Sequence, residues 1–262
     1  MLKRISVVVA ASGLVLSLNA SMALALDLNP LSAIKSVVEA AVEDRSADDI
    51  ATDLTIKGKL TADVIDKMGS DLSVVNAARV SFNKRKTKFE DNDEKLIKYL
   101  AEHNHWSPFG HTTLQFLIKA PVFVARQLVK HQVGLVWNEV SRRYVDDEPQ
   151  FYMPFMWRER AANKKQGSAE TEVEFDITDI TKACKTVYND MLDKNIAPEM
   201  ARMILPQNMM TEWYWTGSVM AFARVCNLRN KDDTQAETRM ITMPMAKHLK
   251  DHFPMSAKYL LD

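Results

Sequence analysis

"TTLQFLIKAPVFVARQLVKHQ", residues 112–132, changes character half-way. "TTLQFLIKA" reads as a strand, and Pro121 then suits the first position of a helix over "PVFVARQLVKHQ", because proline has no N–H to lose there and its φ is already helical. A strand that runs straight into a helix sets the class of the chain. On that helix Arg126 and Lys130 stand four apart, as do Gln127 and His131, so each pair shares a face. Like charges at that spacing cost roughly 0.2–0.5 kcal/mol in an isolated helix, and an anionic partner would relieve them.

The same alternation recurs outward. "NMMTEWYWTGS" (208–218) alternates as a strand does, and "VMAFARVCNLR" (219–229) and "QAETRMITMPMAKHLKDHF" (235–253) read as helices, the second kinked or interrupted at Pro244. "FDITDITKACKTVYNDMLDKN" (175–195) is a long helix, and "DNDEKLIKYLAEHN" (91–104) an amphipathic one capped by Asp91 or Asn92. "VIDKMGSDLSVVNAARVSFNKR" (64–85) reads as strand-like runs, a turn and a basic loop. "WRERAANKKQGSAETE" (157–172) reads as an exposed connection. The expectation is an α+β fold over residues 63–262, a mixed sheet with packed helices. No internal repeat or low-complexity tract interrupts it.

Two segments precede it. Residues 1–25 carry a short basic start, the uncharged apolar run "ISVVVAASGLVLSL" and small residues at Ala23–Ala25, the three-part pattern of a secretory signal peptide, too short for a comfortable membrane span. Residues 26–62 read as a short helical appendage, "PLSAIKSVVEAAVED" and "SADDIATDLTIKGKL", with Ser46 and Asp49 spaced as a capping box. No other stretch is apolar enough to cross a membrane.

Composition bounds the function. With 34 basic and 34 acidic side chains in 262 residues, no overall basic character argues for nucleic acid. Seven glycines and nine prolines argue against a fibrous or disordered chain. Cys184 and Cys226 lie far apart, with no ligand spacing and no activated setting, and read as buried structural thiols. His103, His105 and His111 in "HNHWSPFGH" have no Cys or Glu to complete a zinc site, so no metal is expected. Gly-rich phosphate loops and the nucleophile elbow are absent from the sequence.

Positive charge gathers in "HQVGLVWNEVSRRY" (131–144), just after Arg126 and Lys130. This is either a solvated basic face or a seat for an anion such as a phosphate. Ser141, Arg142 and Arg143 place a hydroxyl and two guanidiniums within one turn of chain, the donor set a phosphate takes best. Arg202 in "PEMARMILP" and Arg229 in "NLRNKDDTQAE" lie in apolar surroundings, as a surface snorkel or a ligand clamp would.

Taken together, "DKMGSDLSVVNAARVSF", the run from His105 to Tyr144, "FYMP", "MARMILPQN" and "NLRNKDDTQAE" resemble a flavin-dependent thymidylate synthase, in family order from about Val64 to the C-terminus. The family signature is Arg-His-Arg, two residues, Ser, one residue, Asn, and then Ser-x-Arg-Tyr. Here Lys130-His131-Gln132 leads to Asn138-Glu139 and to Ser141-Arg142-Arg143-Tyr144. Lys130 and Gln132 replace two arginines, so a point charge stands where the family has a fork. Leu135 or Val136 stands in place of the first serine, and one extra residue separates His131 from Asn138.

The resemblance implies a homotetramer that uses FAD, methylenetetrahydrofolate and NADPH to methylate dUMP to dTMP reductively, without a protein nucleophile. By position it implies Gln127, Ser141, Arg142, Arg143, Arg202 and Arg229 for dUMP, with Arg229 also catalytic as the group that polarises the uracil ring. It implies Ser81, His105, Ser107, Lys130, His131 and Gln132 for FAD. The chemistry points to the cytoplasm and residues 1–25 to export. Family members begin close to what is here Val64, so residues 1–62 read as a joined segment. The alternative is an exported or fused relative of the fold that binds flavin or nucleotide without turnover.

Overall fold

The computed structural model describes residues 59–162 and 166–262, together with a two-residue pairing of Ala10–Ala11 with Leu14–Val15. Most of the signal peptide and of the helical appendage expected from the sequence lies outside the described residues.

The core is a four-stranded sheet in the order β1 (Thr61–Met68), β2 (Thr113–Pro121), β6 (Met210–Ser218), β3 (Leu135–Glu139). The α+β architecture with packed helices is as expected. Within it every pairing is antiparallel, where a mixed sheet was expected. Thr113 faces Ser218 and Pro121 faces Met210, so the proline sits at the end of the ladder, where its missing N–H costs least.

Along β2 the side chains of Leu114, Phe116, Ile118 and Ala120 are fully buried and alternate with partly exposed neighbours; Trp213 and Trp215 do the same on β6. That period of two turns one face to the core. Both central strands then run directly into helices that fold back onto this face. After Pro121 comes α3 (Val122–Leu128), and after Ser218, whose hydroxyl accepts from the Ala221 N–H at 3.2 Å, comes α6 (Val219–Arg229). Phe222 of α6 packs edge-on against Phe116 and Trp215 at 4.9 and 5.4 Å, and Trp137 of β3 stacks on Trp213 at 4.4 Å. The long α7 (Ala236–His252) closes the layer with Ile241, Met245 and Leu249.

Helix α7 continues through Pro244, so of the two outcomes expected there, a kink or an interruption, the interruption does not occur. Met240, Met243 and Pro244 are exposed, so the carbonyl deprived of its donor lies on the watery side of the helix.

A second cluster holds Val74 and Val75 of α1 (Asp71–Arg79), Ile97 and Leu100 of α2 (Asp91–Glu102), and Phe109 of the 3₁₀ turn Ser107–His111, against Met220 of α6. Helix α1 occupies part of the stretch expected to be strand-like. Its β-branched residues are overruled by a start signal, with the Ser70 N–H donating to Ser73 Oγ at 3.1 Å, and by burial of the two valines. Helix α2 begins as expected, but its cap is Glu90.

The loop between α1 and α2 is pinned by the buried Asp93 carboxylate. It accepts from Arg79 at 3.0 Å and from Lys86 at 2.7 Å. Residues 157–172, expected as an open connection, form a hairpin of β4 (Trp157–Arg160) and β5 (Ser168–Val173). The expected long helix is α4 (Thr178–Asp193), followed by the short α5 (Pro198–Ala201). The C-terminal α8 (Pro254–Leu260) docks beside α1 and α2.

Candidate active site

Helix α3 is shorter than the sequence suggested. It ends at Leu128, and the next residues turn, with His131 N–H donating to the Leu128 carbonyl at 3.0 Å. Gly134 then takes φ +74, a left-handed conformation that lets the chain reverse into β3. Lys130 and His131 are therefore off the helix, and the expected shared faces with Arg126 and Gln127 do not form. What forms instead is a contact across the fold. Arg229, in the last turn of α6, donates from Nε to Nε2 of His131 at 2.9 Å.

That bond fixes the state of the ring, because an accepting nitrogen carries no proton. Burial pushes the His131 pKa below its ordinary value, and the Arg229 charge lowers it further. Burial also lowers the pKa of Arg229. A half-buried cation thus leans on a neutral imidazole and keeps its remaining N–H groups.

Three clefts adjoin this region. One, of about 410 Å³, is lined by Glu139, Ser141, Arg142, Arg202, Gln207 and Thr211, among others. Another, of about 300 Å³, is lined by Gln127, Arg158, Gln166, Ser168, Arg229 and Asp233. Gln127 Oε1 is buried and has no hydrogen-bond partner among the described residues. A third, of about 440 Å³, shares Gln207 with the first and Arg158 and Ser168 with the second.

A family described as "Thymidylate synthase complementing protein" matches residues 63–255. The flavin-dependent thymidylate synthase of Thermosipho africanus is 35% identical over 206 residues, which is 76% of this chain and 89% of that protein. That of Thermus thermophilus is also 35% identical, over 77% of this chain and 78% of its own. The chain belongs to the flavin-dependent thymidylate synthase family. A solved structure, the UMP/dUMP methylase PolB from Streptomyces cacaoi bound with 5-Br dUMP, aligns with TM-score 0.68 and 28% identity, covering 76% of this chain and 93% of that one. As a member of this family the chain is an enzyme, a methyltransferase.

In this thymidylate synthase relative, the residues singled out from sequence fall into four groups, with Arg143 outside them. Ser141, Arg142 and Arg202 share the first cleft, and Gln127 and Arg229 the second. Arg143 joins neither. It is exposed, faces Glu199 at 3.5 Å and lies over the Tyr144 ring at 5.4 Å. Lys130, His131 and Gln132 sit together on the turn after α3, where Gly134 approaches Ser218 and Ala221 of α6. Ser81, His105 and Ser107 are exposed on the second cluster, where the 107–111 turn packs against α6 from its Met220 end. The two flavin-position groups thus both border α6.

The donor set of those groups suits a flavin dinucleotide. Two hydroxyls, an ammonium and an amide can bond a pyrophosphate, and the exposed Phe82, Trp106 and Val133 offer apolar surface to flat rings. Sequence reading missed Glu139, whose carboxylate accepts from Thr211 Oγ1 at 2.8 Å and Trp137 Nε1 at 3.1 Å in the first cleft. It also missed Arg158 and Gln166, because a charged run carries no strand signal. Among the described residues, no cluster of three or more His, Cys, Asp or Glu is placed to hold a metal ion.

Proposed function

We propose that this enzyme methylates dUMP to dTMP reductively, with FAD, methylenetetrahydrofolate and NADPH. The observation that carries the reading is Arg229, held by neutral His131 in a cleft with the unpartnered Gln127 Oε1. Flavin, when bound, supplies the redox chemistry between the nicotinamide donor and the methylene group.

The chain's own residues bind and polarise. The Arg229 guanidinium faces a developing negative charge on the uracil ring, where a preorganised donor in a partly dry site does most. His131, being neutral, leaves that charge uncancelled. The buried Gln127 oxygen calls for a donor, and the uracil ring N–H is one. Ser141, Arg142 and Arg202 receive the phosphate as hydroxyl and forks, and Glu139 gives the same cleft an acceptor for a sugar hydroxyl. Arg143, on the rim, adds long-range attraction. Lys130, His131 and Gln132, with Ser81, His105 and Ser107, are the residues that would hold FAD.

The cysteines support a route without a protein nucleophile. Burial pushes the Cys226 thiol up to about 12 and raises that of Cys184. Neither lines the clefts that hold the arginines. Because the nucleotide positions divide between two clefts, and Val133, Val136, Tyr144 and Met203 beside them are exposed by 64–78%, association of copies into a homotetramer is part of the proposal.

The test is direct. The purified protein is examined for flavin absorbance, titrated with dUMP, and assayed for dTMP with methylenetetrahydrofolate and NADPH. A dUMP-dependent shift of the flavin bands with turnover supports the reading. Binding without dTMP formation favours a non-catalytic relative of the fold.

A further inference from the structure

We propose that the β4–β5 hairpin is part of the nucleotide site. Gln166 contacts the bound pyrimidine nucleotide beside Arg229, and Arg158 is the positioning residue that sets the hairpin in place. This rests on the nucleotide reading of the Arg229 cleft.

Three independent ties seat the hairpin there. Arg158 on β4 donates from Nη2 to Glu237 Oε1 at 2.6 Å and from Nε to Ser168 Oγ at 2.8 Å. One guanidinium thereby joins both strands of the hairpin to the first turn of α7. Glu237 is only 3% exposed, and burial, with the Glu237 charge, pushes the nearby Tyr152 phenol up to about 12, so this anchor is largely removed from water. Gln166 Nε2 donates to Asp233 Oδ2 at 2.9 Å. Gly167, at φ +84, lies so close to the chain that an added Cβ would stand 2.9 Å from the Asp233 carbonyl oxygen. Asp233 is on the loop that directly follows Arg229. The hairpin therefore presses on the segment that sets where Arg229 points.

The chemistry assigns the roles. The charge of Arg158 is met by Glu237, so Arg158 is not a free cation for phosphate, and its work is to place the hairpin. Gln166 keeps its amide oxygen and a second N–H after bonding Asp233. A neutral group with one acceptor and one donor matches the edge of a uracil ring, which presents carbonyl oxygens beside an N–H. It adds no charge to a cleft that already holds Arg229. If the hairpin were only surface structure, its ties would govern stability and leave nucleotide affinity untouched.

The experiment uses the full-chain enzyme, with dUMP varied in steady-state assays and titrated against the flavin absorbance, and thermal melting recorded in parallel. Gln166→Ala is expected to raise the KM and Kd for dUMP about tenfold, the loss of roughly one hydrogen bond to substrate. Its kcat is expected within about twofold of the parent and its flavin content unchanged. Arg158→Ala is expected to raise KM similarly, and the double variant to be no worse than about twofold beyond either single one, because Arg158 acts through Gln166. An active parent whose Gln166→Ala variant keeps its KM and Kd overturns the proposal alone. A parent that neither binds nor converts dUMP removes the nucleotide reading, and the proposal with it.

Discussion

Arg229 and His131 are 98 residues apart in sequence, yet a 2.9 Å hydrogen bond joins them, donated by the guanidinium Nε and accepted by imidazole Nε2. Family resemblance places one at the uracil and the other at the flavin. In the folded chain they are a single unit, in which a helix end holds the turn that follows another helix. The neutrality of the histidine leaves the arginine its full charge.

Arg229→Ala removes the only cation among the described residues that lines the cleft with Gln127 besides the already paired Arg158. Turnover of dUMP is expected to fall by roughly 10²–10³, as when a transition-state donor is deleted, with the circular dichroism spectrum retained. The same variant frees His131 of a neighbouring charge, so its pKa should rise toward the ordinary value near 6.5, though burial still holds it below. Proton NMR of the imidazole checks the second half.

The pH dependence follows from the sign of that shift. The His131 pKa is lower folded than unfolded, so between the two values the unfolded chain binds more protons. Stability contributed by neutral His131 is complete above about 6.5 and is lost as pH falls through the window below it. Protonation also takes away the acceptor for Arg229, so turnover should show an acid limb. His131→Gln, whose amide oxygen can accept without titrating, is expected to flatten it. His252 has a lowered pKa too, from burial first and Lys67 next, and contributes with the same sign to stability. The comparison of parent and variant isolates His131.

Much of this was legible beforehand. The strand-to-helix passages after Pro121 and Ser218 were visible because the alternation of 208–218 and the proline at 121 are local signals. Arg202 and Arg229 stood out as cations in apolar surroundings. The Arg229–His131 bond was not visible, since the sequence continued α3 through His131 and the chain in fact breaks after Leu128. The hairpin was missed because its strands are paired largely through exposed charged residues, which read as a solvated loop. Arg143 sits on the rim beside Glu199, although adjacent Arg142 lines a cleft. Neighbouring residues on an irregular segment need not point the same way.

A chain without cysteine is expected to keep its chemistry. Cys226 is buried, with its Sγ 3.6 Å from the Thr242 carbonyl, and Cys184 is half-buried on α4. Cys184→Ser with Cys226→Ala should retain dTMP formation within about threefold while the melting temperature drops, since the second change leaves a small cavity costing roughly 1–2 kcal/mol. Loss of turnover with the fold intact would overturn the mechanism without a protein nucleophile.

Gly217 is a packing constraint on the same region. It pairs with Leu114 on one side and Leu135 on the other, and an added Cβ would come within 2.4 Å of Leu135 Cδ2 and 2.8 Å of the Gly134 carbonyl oxygen. The leucine can rotate away; the carbonyl moves only if β3 moves. Gly217→Ala is expected to destabilise by about 2–3 kcal/mol and to lower flavin occupancy, because Gly134 follows closely on Lys130–Gln132. Denaturation and the flavin-to-protein absorbance ratio read the two effects separately.

Asp71 ties the beginning of the described chain to its end. Its carboxylate accepts from the N–H groups of Met255 and Ser256 at 2.9 and 2.8 Å and from the Ser256 hydroxyl at 2.6 Å, across 185 residues in the latter two bonds. These are the otherwise unpaired donors of the first turn of α8, so Asp71 on α1 serves as its cap. Asp71→Ala strands them in a site where Ser256 is fully buried, and should cost about 3 kcal/mol. Asp71→Asn keeps one oxygen for Ser256 and should cost less. Both variants lie outside the clefts, so KM for dUMP is expected to stay unchanged at temperatures where they are folded. A raised KM with unaltered stability would mean that α8 bears on the site directly.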